Sequence, residues 1–306
     1  RVEVFANKTG NWESLGNPLT NLTENELFGT SISLNLDGSI LAVGSPGYND
    51  GAGCVRVYRY NGVDRWEQLG SILEGDPSDE FGYDVKINYI GDIILVGCPG
   101  NNKVVGFKYN GNSWVQLGNE ILNEKSYTRF GSTIDINGEG IVVVVGTSNT
   151  TEGIIQTYEY NGTEWRLLGD IAKANQLEQF GNVFAISAEK NTVVVGVTGA
   201  DESPDMLKLY NYYSAYNSWI NTNTISVNGK IKSANITGDG QLMVVQFSTG
   251  SGINAKDEIQ VYSLGGKLMT PIGEPTQSSS KINPISVSRI GDTIIVGSPM
   301  YDNSRG

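Results

Sequence analysis

Apolar and polar positions along the chain fall into short segments, alternating with period two or continuously apolar, and turn residues cut one from the next. Val55-Arg56-Val57-Tyr58-Arg59-Tyr60 alternates cleanly. Segments of this kind predict β-strands. They come four at a time, and the group of four repeats along the sequence. A Trp-x-x-Leu-Gly element stands at Trp12–Gly16, Trp66–Gly70, Trp114–Gly118 and Trp165–Gly169, degrades at Trp219, and returns at Met269–Gly273 with Met for Trp. The steps are 54, 48, 51, 54 and 50 residues, and joining the ends of the chain gives a last step of 49.

Other positions keep the same beat. Phe-Gly is expected to open a strand at Phe28-Gly29, Phe81-Gly82, Phe130-Gly131 and Phe180-Gly181, with Lys230-Ile231 and Lys281-Ile282 in register. A turn follows, read from Gly38, Gly91, Gly140, Gly240 and Gly291, with Asn191 beside the fourth position. A second run then ends in Gly44-Ser45-Pro46, Gly97-Cys98-Pro99, Gly146-Thr147-Ser148, Gly196-Val197-Thr198, Gln246-Phe247-Ser248 and Gly297-Ser298-Pro299. The third run carries an aromatic at Tyr58, Phe107, Tyr158, Tyr210, Tyr262 and Phe5. Tyr-Asn-Gly joins third to fourth run at Tyr60-Asn61-Gly62, Tyr109-Asn110-Gly111 and Tyr160-Asn161-Gly162, where Asn-Gly tolerates the positive φ of a tight hairpin.

Four antiparallel strands in a unit of about 50 residues describe a propeller blade, which buries its faces only by stacking on neighbours. The expected fold is all-β, a six-bladed β-propeller in one domain. The expected blades are 28–70, 81–118, 130–169, 180–223, 230–273, and 281–306 completed by 1–16. Arg1–Ala6 reads as a third strand and Asn11–Gly16 as a fourth. Pro284–Ile290 and Asp292–Pro299 supply a first and a second, so the last blade closes two plus two, which ties down loose edges.

Composition narrows the partners. The formal net charge is −12, and the 21 Lys and Arg are spread along the chain. Nucleic acid is excluded as a partner, because phosphate binding needs a clustered basic face. No apolar run approaches the ~18 residues of a membrane span, so membrane insertion is not expected. A start at Arg1 with no signal-type segment is what a processed or excised chain would show. An acidic surface rich in Asn, Ser, Thr and Gly suits an extracellular or surface-exposed protein. Cys54 and Cys98 fall at the same rim of adjacent blades, which leaves two readings, a disulfide or two free buried thiols.

Phe-Gly, a turn, Ala-Val-Gly-Ser-Pro at Ala42–Pro46 or Val-Gly-Cys-Pro at Val96–Pro99, and then a Val-x-Val-Tyr strand resemble the FG-GAP repeat of integrin-α-type β-propellers. The resemblance covers the whole chain, strongly in the first three units and weakly in units five and six. It implies extracellular recognition and adhesion. Looser relatives with Trp-x-x-Leu-Gly spacers look like surface proteins of microbes and large viruses, so a virion surface is among the expected locations. The family's calcium loops lie between first and second strands, where this chain has only Asn35-Leu36-Asp37-Gly38, Asn88-Tyr89-Ile90-Gly91 and Asn137-Gly138-Glu139-Gly140. Calcium takes about six to eight oxygens, and such turns offer too few, so neither cofactor nor metal is carried over. The family's usual blade number is seven, which makes a six-membered ring a divergent relative.

The chain has no histidine, which removes the commonest general base and zinc ligand together. Along the first strands Ile32, Leu34, Val85, Ile87, Ile134 and Ile136 share one face. Ser31, Ser33, Asn35, Asp84, Lys86, Asn88, Thr133, Asp135 and Asn137 share the other and are expected to line a central channel. Asp84, Lys86 and Asp135 are the charges facing each other there. Two carboxylates across a cleft can do hydrolase or lyase work, but a neutralised cluster in a water-filled channel needs no chemistry, and the expectation is that the protein is not an enzyme.

A carbohydrate-binding reading rests on the one hairpin with a longer insert. Tyr210 and Trp219 occupy the repeat's packing positions there, while Tyr212, Tyr213 and Tyr216 are surplus and offer faces on which a sugar could stack. The recurrent Trp residues read as filling between blades. Sequons at Asn7, Asn21, Asn149 and Asn161 fall in expected loops, and Asn235, on an innermost strand, should stay bare. The loops at Gly47–Gly53, Asn149–Gly153, Gly199–Asp205, Thr249–Glu258 and Met300–Gly306 vary most, and they share a rim with Asn17–Leu27 and Glu74–Glu80. A repeating core with a non-repeating rim is what a protein-binding platform looks like. Recognition of a protein partner is therefore the leading expectation, a glycan the alternative, and channel chemistry the third.

Overall fold

The computed structural model describes the chain except residues 21–22, 24, 124–127, 148–152, 174–177, 180–182, 189–191, 200–203, 251–255, 266–267, 279–284 and 297–306. The fold is a six-bladed β-propeller, and apart from a short helical turn at Tyr48–Gly51 the elements named among the described residues are strands. The first blade runs Ser31–Leu34, Ile40–Ser45, Cys54–Tyr60 and Trp66–Gln68, each strand antiparallel to the next. The second runs Asp84–Ile87, Ile93–Cys98, Lys103–Tyr109 and Trp114–Gln116. The third runs Phe130–Ile136, Val142–Thr147, Ile154–Tyr160 and Trp165–Lys173. Phe184–Ile186, Thr192–Gly199, Met206–Tyr213 and Ser218–Ser226 form the fourth, and Lys230–Ile236, Leu242–Thr249, Lys256–Ser263 and Thr270–Ser278 the fifth. The expected half-blades are present as strand pairs, Phe5–Lys8 with Asn11–Ser14 and Ile285–Val287 with Ile294–Val296.

The described chain divides into two compact units, Arg1–Val145 with Glu159–Arg166, and Gly146–Tyr158 with Leu167–Gly306. In the first, Ile40, Val55, Phe81, Val85, Ile94, Val96 and Trp114 make one core, and Val2, Leu41, Val43, Tyr58 and Trp66 another. In the second, Val194, Leu207, Leu209, Met243, Val245 and Phe247 do the same work. Second strands such as Ile93–Cys98 are buried at every residue, because both their faces and both their edges are covered. That explains their continuous runs of Val and Ile.

Packing accounts for the repeated motifs. Trp66, Trp114 and Trp165 are buried, and each indole Nε1 donates to a leucine carbonyl of the preceding Trp-x-x-Leu-Gly, at Leu15, Leu69 and Leu117, over 2.8–2.9 Å. The motif's glycine is the seat of the next ring. A Cβ on Gly70, at φ +81°, would lie 2.9 Å from Trp114 Cδ1. Gly118 stands in the same relation to Trp165, and Gly16 to Trp66. Trp12 alone is 53% exposed, and in its own unit no such glycine precedes it. Gly82 and Gly131, both with positive φ, have no room for a Cβ against the Cys54 and Lys103 carbonyls, and they face Gly44 and Gly97 of the preceding Gly-x-Pro runs.

Three readings of the sequence are corrected. Phe-Gly does not open a strand in the first two blades: Phe28-Gly29 and Phe81-Gly82 are the centre of turns closed by Thr30 N–H to Leu27 O and Tyr83 N–H to Glu80 O, and the strands begin at Ser31 and Asp84. The Tyr-Asn-Gly hairpins are not two-residue turns, since Tyr60 pairs with Trp66 and Tyr109 with Trp114. Their glycines do take positive φ, but each asparagine contributes its side chain. Asn61 Oδ1 accepts from the backbone N–H of Val63, Asp64 and Arg65, and Asn161 Oδ1 from Thr163 and Glu164.

Finally, Asn35, Asn88 and Asn137 are buried rather than channel-lining. Each ends a first strand and holds the following turn. Asn88 Oδ1 accepts from Gly91, Asp92 and Ile93, Asn35 Oδ1 from Ile40, and Asn137 Oδ1 from Ile141 and Val142. With those oxygens occupied, these turns do not fit a calcium loop.

Candidate functional site

In the first unit, described stretches of two loop families meet along the rim, and a buried polar residue two positions before each Phe-Gly ties them together. Glu26, Asp79 and Thr128 hold this place, exposed by only 1–3%. Arg56 Nη2 donates to Glu26 Oε2 at 3.0 Å, and its guanidinium lies 5.4 Å from the Tyr48 ring and 6.0 Å from Phe28. The Glu26 carbonyl accepts from Gly47 N–H. In the second blade Asp79 Oδ1 accepts from Asn101 Nδ2 at 2.6 Å and its Oδ2 from Asp76 N–H. Lys103 Nζ lies 3.0 Å from both Asp76 and Asp79 and 3.3 Å from Glu120. Burial works against that ammonium, but the hydrogen bonds it donates to Asp76 and Asp79 outweigh it and hold its pKa above the ordinary lysine range. Lysine thus fills the place among carboxylates where a cation would sit. Among the described residues no group of three His, Cys, Asp or Glu could hold a metal.

Above this floor the surface is set by strained backbone. Leu27, Glu80 and Arg129, each just before Phe, take φ of 55°, 53° and 53°, and Asn49 and Asp50 at the tip of Gly47–Gly53 take 49° and 54°. Non-glycine residues hold this conformation only where their surroundings over-determine it, commonly at binding sites. Arg129 Nη2 donates to Glu80 Oε2 of the neighbouring blade at 2.6 Å, and its guanidinium lies 5.1 Å from the Tyr83 ring. Leu27 is 62% exposed and Tyr83 36%. Exposed Tyr and Arg side chains on a rigidly anchored rim can supply anchoring contacts to a partner.

Asp84, Lys86 and Asp135 do come together on inner strands of this unit. Asp84 Oδ1 accepts from Ser31 Oγ at 3.0 Å, and its Oδ2 from the Ile134 N–H at 2.9 Å, so one carboxylate links three successive first strands. Ser31 Oγ and Ser33 Oγ accept from the N–H of Val85 and Ile87. Asp84, with Asp135 adding to it, raises the Lys86 pKa. A carboxylate already bonded on both oxygens is a clasp rather than a free acid or base. Val85, Ile87, Ile134 and Ile136 are buried, but Ile32 and Leu34 are 54% and 45% exposed.

Tyr212 is corrected: it belongs to the repeat. Its ring lies 5.4 Å from Trp219, as Tyr60, Tyr109 and Tyr160 lie 5.2–5.5 Å from Trp66, Trp114 and Trp165, and its hydroxyl donates to Asn217 Oδ1. Tyr213 and Tyr216 remain surplus, 6.4 Å apart, with Tyr216 71% exposed. Cys54 and Cys98 are free and buried, so the disulfide reading is set aside. They sit in different sheets, Cys54 opposite Ser45 and Cys98 opposite Lys103. Asn7 and Asn161 are exposed; Asn21 and Asn149 lie outside the described residues. The Asn235 amide donates to the Ile285 carbonyl. Of the rim loops, 149–152, 200–203, 251–255 and 300–306 also lie outside them. Sequence reasoning missed Arg56, Lys103 and Arg129; for Lys103 the available signal was a charged strand position where the blades on either side have Cys54 and Ile154.

These features define a β-propeller with an anchored loop rim. No protein-family model and no curated protein matches the chain. Solved structures do. Hydrazine synthase of Kuenenia stuttgartiensis is similar over 92% of this chain and 77% of its own, with TM-score 0.63 and 13% identity. A candidate 6-phosphogluconolactonase of Bacteroides fragilis matches over 94% and 80%, with TM-score 0.62 and 11% identity. Chaetomium thermophilum Sqt1, solved bound to the N-terminus of the ribosomal protein L10, matches over 90% and 71%, with TM-score 0.57 and 14% identity. At such identity the likeness is one of fold.

Proposed function

We propose that the chain is a non-enzymatic recognition module that binds a protein partner through its rim loops on an extracellular or particle surface, in the manner of a divergent FG-GAP propeller. The observation that carries this reading is the rim of the first unit, where strained loops are pinned by buried ion pairs and present Leu27, Tyr83 and Arg129 outward. Sqt1, with its bound ribosomal-protein segment, is a propeller of similar fold that holds a protein partner. The test is crosslinking with residue-level assignment in native material. Crosslinks should cluster on the rim to one neighbour, and Tyr83→Ala with Arg129→Ala should weaken that complex about tenfold or more. Crosslinks scattered over the blades, or a complex indifferent to both substitutions, would sink the reading.

A glycan is the second reading, resting on the exposed Tyr216 and the half-buried Tyr213 beside it. It requires a glycan-array signal that Tyr216→Ala abolishes.

A further inference from the structure

The fourth strand of the fourth blade, Ser218–Ser226, ends its sheet and pairs, among the described residues, with Met206–Tyr213 alone. A nine-residue edge strand offers its outer N–H and C=O groups to any strand laid against it. Proteins blunt such edges with charge, proline, glycine or shortness. The other fourth strands of the five complete blades are blunted. Trp66–Gln68 and Trp114–Gln116 run three residues before the motif's glycine. Trp165–Lys173 carries Arg166, Gly169, Asp170 and Lys173, and Thr270–Ser278 carries Pro271, Gly273, Glu274 and Pro275. Ser-Trp-Ile-Asn-Thr-Asn-Thr-Ile-Ser has none of these devices, and Asn223 stands where the repeat places glycine.

We propose that this edge is a self-association surface, on which two copies of the chain pair antiparallel along Ser218–Ser226. Charge leaves this edge open to a second copy. Each chain carries −12, so copies repel, and this strand is where no ionisable side chain would face its own image.

The register favours it. Pairing passes from Tyr210 opposite Asn221 to Leu209 opposite Asn223, so Thr222 is a bulge residue. Ile220, opposite Asn211, and Ile225, opposite Leu207, therefore share one face; Asn221, opposite Tyr210, and Thr224, opposite Lys208, share the other. A twofold axis between Thr222 and Asn223 sets Ile220 against Ile225 and Asn221 against Thr224 of the second copy, twice each. Every facing pair then lies on a common face, and the two bulges meet at the axis. Such an isologous contact closes as a dimer. Asn223 Oδ1, a buried acceptor that lacks a partner, lies at this axis.

The experiment uses the 306-residue chain. Light scattering across a concentration series should show a monomer–dimer equilibrium, and Ile220→Lys, with Thr224→Lys as a second variant at an exposed position, should raise the dissociation constant about tenfold or more. The register is read separately: under mild oxidation an Ile220→Cys chain mixed with an Ile225→Cys chain should give a disulfide-linked heterodimer that neither gives alone. A monomer at every concentration, a dimer unmoved by a folded lysine variant, or crosslinks formed equally by each cysteine variant alone would overturn the proposal.

Discussion

At the residue scale, two glycine settings of this chain have different costs. Gly70 and Gly62 share φ of +81°, but a Cβ on Gly70 meets Trp114 Cδ1 at 2.9 Å, whereas around Gly62 nothing lies within 4 Å. Gly62→Ala should therefore lose only the left-handed backbone penalty, about 1 kcal/mol. Gly70→Ala adds displacement of a buried indole and should lose about 3 kcal/mol. Urea unfolding of the two variants checks the gap, and equal losses would mean that the ring is not seated as described. Tyr212 is the other residue whose role depends on its neighbour. Tyr212→Ala should cost more than about 1 kcal/mol through Trp219 packing, against under ~0.5 for Tyr216→Ala. The spacing of Trp and Gly was plain in the sequence, but their partnership was not, because the ring comes from one repeat and its seat from the repeat before. Tyr212 was misread for a related reason: the longer insert after Tyr213 hides its match to Tyr60.

At the element scale, the strand order of each blade was legible, since strands that alternate or run apolar between turn residues have few other folds open to them. The turns were less so. Asn35, Asn88 and Asn137 alternate with apolar neighbours and so read as one polar face, whereas each in fact ends its strand and bonds the turn ahead. A pattern of polar and apolar positions does not say whether a polar group is solvated or consumed by backbone. Asn88→Ala leaves the Asp92 and Ile93 N–H groups without their side-chain acceptor and Gly91 N–H with the Asn88 carbonyl alone, and should cost about 2–3 kcal/mol. Hydrogen exchange should show the loss first at Asp92 and Ile93; unchanged protection there would contradict the assignment. The rim was legible only as variability. Its anchors are ion pairs between loop and strand, such as Glu26 with Arg56, whose partners lie 30 residues apart.

For the molecule as a whole, the buried weakly acidic groups set the response to alkali. Burial pushes the Cys54 thiol up to about 11 and the Cys98 thiol well above the ordinary thiol range. It likewise raises Tyr58 and Tyr262, and Tyr158 to about 12. Each of these groups stays neutral in the fold at a pH where the same group in the unfolded chain has ionised. The unfolded state thus sheds protons first, and the stability these groups contribute is complete below about pH 9 and falls as pH rises toward 11–12. Lys103 acts in the same direction: its raised pKa favours the folded chain in full below the ordinary lysine range, and that contribution is lost progressively as pH rises from there through its own raised value. Urea midpoints should therefore be level from neutrality to about pH 8.5 and decline steeply beyond. Replacing both cysteines with alanine should flatten the first part of that decline, near pH 9–10, and leave the tyrosine part above it. A thiol reagent should reach neither cysteine until the midpoint is passed. A profile that falls on the acid side but stays level to pH 11 would show that these groups are solvated in the native protein, and the packing between its blades would need to be redrawn.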